Sequence, residues 1–226
     1  MPLSTRIGSK MKEDFMLLDN KGFDLWANDY DLAVDLSDAT DTYPFAGYKD
    51  ILATIYAEIM SRKPCKVLDI GIGTGLLATR LYMAGNEITG IDFSEEMLKI
   101  ARKRMPTARL MEYNFMSGLP DELTGEKFDF IILTYSIHHL SYEQQSKFLV
   151  SALDYLAEGG CIMIGDVAFE TEAMMQKCRE ENVDDWDSDE FYIIYTELVK
   201  SLGSHCQIEY NQISHCGAIV KLTKLR

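Results

Sequence analysis

The chain has 226 residues, enough for one sizeable α/β core, and its 47% apolar and 26% charged content excludes wholesale disorder. Its 36 acidic side chains outnumber 22 basic ones, giving a net charge of −14, a balance that repels polyanions and argues against nucleic acid as a partner. No apolar run reaches the span of a membrane helix, and Met1 to Arg6 lacks the apolar core of a signal peptide. Five cysteines without a Cys-x-x-Cys pair fit reduced thiols, so a cytoplasmic protein with no membrane contact is expected.

In chain order, residues from about 10 to 63 read as interrupted helices. Ile51, Leu52, Ile55, Ile59 and Met60 recur at helical spacing until Pro64 stops the run. Strand and helix then alternate. Lys66 to Ile70 reads as a buried strand, Thr74 to Met83 as a helix and Glu87 to Ile91 as a second strand before a helix capped by Ser94. Ala108 to Tyr113 and Phe128 to Leu133 are the next strands, Tyr142 to Ala157 a helix, and Gly159-Gly160 turns into the strand Cys161 to Gly165. Alternation of this kind predicts a mostly parallel sheet with helices on both faces. Residues 169 to 203 read as helical, with an acidic run from Glu180 to Glu190 that suits a solvated surface or a cationic acceptor. The end reads as a hairpin, strands Gln207 to Tyr210 and Ile213 to Lys224 joined at Asn211-Gln212. The basic residues Lys99, Arg102, Lys103 and Arg104 fall on one surface helix, with Arg109 beyond it, and read first as a solvated charged face.

The stretch Asp69-Ile70-Gly71-Ile72-Gly73-Thr74-Gly75 carries the most information. It sets an acid at the end of a buried strand, then glycines through a turn opening a helix whose N-terminal N–H groups are free for a ligand. A dinucleotide turn is the rival reading, but its third glycine falls at Leu76, and Asp69 beside a pyrophosphate is unfavourable. An acid there suits an ammonium-bearing ligand such as S-adenosylmethionine (AdoMet). Asp92, ending the second strand, can accept both hydrogen bonds of a ribose diol, with Phe93 and Met97 flanking the adenine.

Val67 to Gly75, Gly90-Ile91-Asp92, Glu112 to Phe115 and Phe128 to Leu140 resemble the successive motifs of class I AdoMet-dependent methyltransferases. Trp26-Ala27-Asn28-Asp29-Tyr30-Asp31 and the tail Thr196 to Lys224 extend the likeness to the small YrrT-like bacterial methyltransferases. The resemblance implies a Rossmann-like α/β fold, a single domain over 1–226. An N-terminal helical cap (1–63), a cofactor core (64–167) and a region of specificity helices with the terminal hairpin (168–226) compose it. Its sheet has seven strands, the last antiparallel. By the same resemblance Gly71, Gly73, Thr74 and Gly75 approach the methionine portion of AdoMet, and Asp92 binds the ribose. Asn114, where the family more often has Asp, meets the adenine beside Phe115, and Tyr30 reaches the methionine end.

Ligands in such sheets bind beyond the carboxyl ends of the strands, where Thr134, Tyr135, Ser136, Ile137, His138 and His139 follow the fourth strand. The resemblance favours His139 as the residue facing the cofactor and as general base, with His138 the other option; packing or capping roles remain open for both. Phe23, Trp26 and Tyr43 suit a packed helix face, and His215 is placed to reach the pocket from the terminal hairpin. His205-Cys206 and His215-Cys216 put at most one residue of each pair on a common face, so no metal site is expected. The expected activity is methyl transfer from AdoMet, leaving S-adenosylhomocysteine (AdoHcy), to an O, N or S atom of a small molecule by a monomer or homodimer. A non-catalytic AdoMet-binding sensor or scaffold, an RNA or protein methyltransferase and a nicotinamide-dependent oxidoreductase are the competing readings.

Overall fold

The computed structural model describes residues 42–225. The expectations for Phe23, Trp26 and Tyr30 lie outside the described residues. Among the described residues eight strands occur: β1 (Lys66–Ile70), β2 (Glu87–Asp92), β3 (Arg109–Glu112), β4 (Phe128–Thr134), β5 (Leu156–Phe169), β6 (Ile193–Ile194), β7 (Cys206–Gln212) and β8 (Gly217–Lys224). The helices are α1 (Tyr48–Met60), α2 (Leu76–Met83), α3 (Glu95–Arg104), α4 (Tyr142–Leu153), α5 (Glu172–Glu181) and α6 (Tyr195–Leu202).

The strand order is β3-β2-β1-β4-β5-β8-β7, with β6 paired to β5 off that path. Pairs β1–β2, β1–β4, β2–β3 and β4–β5 are parallel, and β8 runs antiparallel to both β5 and β7. The expected sheet with an antiparallel last strand is therefore present, with the two-residue β6 added. The order reverses between β1 and β4, which opens a crevice at the carboxyl ends of those strands.

Period-two alternation sends the central strands' side chains to two cores. Val67, Phe130, Ile132, Cys161 and Met163 meet α1, α2 and α3 on one face. Leu68, Ile131, Leu133, Ile162 and Ile164 meet α4 and α6 on the other. Ser94 caps α3, its side chain accepting the Met97 N–H, and Ser141 with Gln144 forms a capping box on α4. Among the described residues no helix is long and apolar enough to cross a membrane, and all five cysteines are free and buried.

The largest departures from the expected boundaries are three. Helix α4 ends at Leu153, because residues from Leu156 already belong to β5, which is longer than the stretch Cys161 to Gly165. Asn211 and Gln212 lie within β7, and the turn is made by residues 213–216, where Ser214 Oγ accepts the Gly217 N–H at 2.8 Å and donates to Ala46 O at 2.6 Å. The region 169–203 is two helices rather than one run, because 182–192 packs as irregular chain between α5 and β6.

Candidate cofactor and acceptor site

The loop between β1 and α2 is fixed by main-chain bonds to β2. Gly71 and Ile72 donate to Ile91 O at 2.8 and 3.0 Å, and Gly73 donates to Asp92 Oδ2 at 2.8 Å. Gly71 has φ +71°, and a Cβ there would stand 2.5 Å from Ser136 Cβ, so only glycine lets the β1 and β4 loops touch. Gly73 has φ +55°, and nothing lies within 4 Å of where its Cβ would be. Its α-carbon thus faces open space in the cleft.

That cleft has an empty volume of about 740 Å³, part of it open solvent, and is walled by Asp69, Gly71, Gly73 and Thr74 of β1 and its loop, Asp92, Phe93 and Met97 around β2, Phe115 after β3, and Thr134, Tyr135 and His139 after β4. All of these were expected from sequence. Ser136, placed at that end by the sequence, completes the walls with Tyr48, Leu52, Ile72, Leu76 and Leu77, which were not singled out; of these, Tyr48 and Leu52 sit on an ordinary amphipathic helix face with nothing to mark them. Gly75 supports the loop from outside the cleft, where a Cβ would stand 2.8 Å from Met105 Cε. Asn114 is exposed and does not line it; its Oδ1 accepts the Met116 N–H at 3.0 Å, capping a short 3-10 turn. His215 is exposed in the β7–β8 turn and also lies outside the walls, because that turn packs onto residues 44–46 instead.

Two acids sit under the loop. Asp92 is 6% exposed, and its Oδ1 accepts the Ser94 N–H at 2.9 Å. Asp69 is 2% exposed, and its Oδ1 is buried without a hydrogen-bond partner among the described residues. Burial, and then the charge of Asp92, push the Asp69 pKa up to about 8. A buried carboxyl oxygen left unsatisfied at the floor of a cleft is the mark of a group awaiting a donor. Above it, Tyr135 adopts φ +50°, a strained value for a side chain this large, and packs on Phe45 and Tyr48.

At the far end the adjacent histidines diverge. His138 Nδ1 lies 2.7 Å from Asp166 Oδ1, and Nε2 lies 3.5 Å from Glu190 Oε1. Burial disfavours the His138 imidazolium, yet the charges of Asp166 and Glu190 prevail and raise its pKa to about 9. His139 faces the cleft, and burial together with the neighbouring His138 charge holds it well below the ordinary histidine value, as a neutral imidazole. Tyr192 donates to Glu190 Oε2 at 2.6 Å and is hydrogen-bonded to Tyr43, on which Trp186 stacks at 5.3 Å. Phe191 N donates to His138 O at 2.8 Å, seating the acidic segment against the histidines. Asp166 and Glu190 were not singled out from sequence. Glu190 closes an acidic run but opens the apolar stretch Phe191-Tyr192-Ile193-Ile194, and that junction was the available signal.

A buried acid at the end of β1, a glycine loop, and a second acid at the end of β2 define a nucleoside-binding α/β fold. Residues 67–160 match a family model described as a methyltransferase domain. An uncharacterized methyltransferase of Alkaliphilus oremlandii is 35% identical over 153 residues, covering 68% of this chain and 69% of the relative. Another from Bacillus cereus is 29% identical over 215 residues, 89% of this chain and 96% of the relative. The chain belongs to this methyltransferase family. Its fold is shared by a DhpI–SAH complex (TM-score 0.64, 18% identity, 91% of this chain and 94% of that one). It is shared too by the magnesium protoporphyrin IX methyltransferase ChlM of Synechocystis PCC 6803 with bound SAH (TM-score 0.64, 17% identity, 80% and 85%).

Proposed function

We propose that the protein transfers a methyl group from AdoMet to a nucleophilic atom of a small molecule. The observation that carries this reading is Asp69 Oδ1, buried without a hydrogen-bond partner among the described residues in the cleft that Gly73 also walls. An ammonium group would supply the missing donor and favour the ionised form of Asp69, whereas a pyrophosphate would be repelled by Asp92 and would keep Asp69 from ionising. AdoMet brings its own activated methyl group and leaving group, so the protein's task is binding and alignment.

In this reading Asp69 holds the amino-acid end, Gly71, Gly73 and Thr74 lie against the methionine portion, and Gly75 sets the loop. Asp92 takes the ribose hydroxyls with its remaining lone pairs; Phe93, Met97 and Phe115 enclose the base, and Thr134 and Tyr135 close the side towards α1. His139 offers a neutral electron pair on the acceptor side, while His138 is tied through Nδ1 to Asp166 and is not among the walls of the cleft. Tyr30 keeps its sequence-based role as a methionine-end contact, while Asn114, outside the cleft walls with its Oδ1 taken by the Met116 N–H, is not assigned to the adenine. A net charge of −14 supports a small acceptor over RNA.

Thermal-shift titration with AdoMet, AdoHcy and NAD is the test, since a ligand specific for the folded state raises its stability. AdoMet and AdoHcy should each stabilise the protein. A shift with NAD alone overturns the proposal. AdoHcy release from pooled thiols, amines, phenols and carboxylates then identifies the acceptor class.

A further inference from the structure

His138, His139 and Glu190 each offer one potential ligand atom, these three atoms all lie within 4.8 Å of one another, and a cation entering there would displace the proton His138 otherwise carries. The simplest account is an ion pair between His138 and Glu190. The spacing of that pair leaves room for an ion. A charge-assisted N–H···O bond runs at about 2.7–2.9 Å, the length His138 makes with Asp166. The Nε2 to Oε1 separation is 3.5 Å. Two ligand atoms each about 2.1 Å from one ion at a tetrahedral angle stand about 3.4 Å apart. The gap is long for a hydrogen bond and right for an ion between.

The surrounding groups are arranged as supports for ligands. Asp166 Oδ1 faces His138 Nδ1 and also accepts the Val167 N–H at 2.8 Å, while Oδ2 accepts the Ser136 N–H at 3.2 Å. That carboxylate fixes the ring with Nε2 turned to Glu190, as carboxylate–histidine–metal arrangements do. Glu190 is fixed through its other oxygen by Tyr192. The His139 ring sits with its centroid 4.3 Å from that of His138, a contact that an ion pair with Glu190 does not need.

We infer that His138, His139 and Glu190 bind a divalent first-row transition-metal ion through two imidazoles and one carboxylate. This departs from the sequence-based expectation of no metal site, which rested on the His-Cys pairs near the C-terminus. Ligands of this kind suit Mn²⁺, Fe²⁺ or Zn²⁺. His139 is a wall of the cleft, so the ion borders the space next to the cofactor and has positions left for an oxygen, nitrogen or sulfur atom of the acceptor. That last role rests on the methyl-transfer reading; the binding of the ion does not.

The test is titration of the chelator-stripped chain with Mn²⁺ and, separately, Zn²⁺, followed by calorimetry and thermal unfolding, with AdoHcy binding measured on the same sample. Mn²⁺ has little affinity for thiols, which keeps the five cysteines out of the result. One equivalent should bind, and an ion at 100 times its dissociation constant should raise the Tm by about 5 °C or more. E190Q and H139A should each weaken binding at least about tenfold, and D166N, through ligand orientation, about 10- to 100-fold. If E190Q does not fold, H139A decides, because that ring lines the cleft and leaves the Asp166–His138 pair in place. No stabilisation of the wild type by either ion, or equal affinity in H139A, overturns the inference. AdoHcy binding that persists in either case leaves the methyltransferase reading standing.

Discussion

The N–H of Gly73 donates to Asp92 Oδ2 at 2.8 Å, so the acid ending β2 and the loop following β1 form one unit. Asp92 therefore shapes the site in addition to facing it. Asp92→Ala removes an acceptor for the loop and the proposed partner of the ribose. Hydrogen bonds to a charged group contribute about 1.5–3 kcal/mol, so AdoHcy affinity should fall about 10- to 100-fold by calorimetry. An unchanged dissociation constant removes Asp92 from nucleoside binding.

Asp69 gives a pH dependence of definite sign. Burial and the charge of Asp92 raise its pKa to about 8 in the folded chain. The other titratable groups around the cleft are Tyr48, Tyr135 and His139. Between about pH 4 and about pH 8 the native state keeps a proton on Asp69 that the unfolded chain has released, so this group's contribution to stability falls as pH rises through that window. Asp69→Asn abolishes the slope. The Tm of the ligand-free variant relative to wild type should therefore rise from about pH 5 to about pH 8, while AdoHcy stabilises the variant far less. A pH-independent Tm difference, or full AdoHcy stabilisation of the variant, refutes the role assigned to this carboxyl.

The part of this site that was legible in the sequence is local. Asp69, the glycines and Asp92 stand at strand ends, and a strand end fixes where its next residues point, so spacing alone locates them. The mostly parallel sheet followed from the alternation of strands and helices. Glu190 was not legible, because its partner His138 lies across the fold and because an acidic run is ordinarily solvated; the Phe191 N–H to His138 O bond and the Tyr192 hydroxyl hold that carboxylate inward. The β7–β8 turn was misplaced by a few residues since Asn211-Gln212 has turn-forming composition, while the structural demand came from Ala46, a contact invisible to local pattern.

Gly71 and Gly73 separate stability from binding. Both have positive φ, at which a side chain costs about 1–2 kcal/mol. At Gly71 a Cβ also overlaps Ser136, adding about 1–3 kcal/mol of overpacking. At Gly73 it enters the cleft. Gly71→Ala should lower stability by about 2–5 kcal/mol in denaturant unfolding, and Gly73→Ala by about 1–2 kcal/mol while losing about tenfold or more in AdoHcy affinity. Reversal of that order contradicts the assignment of Gly73 to the ligand.

Arg104 was read from sequence as one of a set of solvated basic side chains, and the structure sets it apart. Its Nη1 donates to Thr74 O at 3.0 Å and faces Thr74 Oγ1 at 3.1 Å, reaching from the end of α3 to the loop that walls the cleft. Arg102, two residues earlier on the same helix, instead pairs with Glu95 at 2.8 Å, each partner more than a third exposed. Such a surface pair contributes about 0–1 kcal/mol. Arg104→Ala should therefore weaken AdoHcy binding about three- to tenfold, the loss of about one hydrogen bond that holds Thr74 in place. Arg102→Ala should leave binding unchanged. Both substitutions remove one positive charge from an already acidic surface, so a purely long-range electrostatic effect would move the two dissociation constants together. Calorimetry on the pair at low and high salt distinguishes these outcomes. A salt-insensitive loss confined to Arg104→Ala locates the effect at the loop, and equal losses in the two variants rule that out.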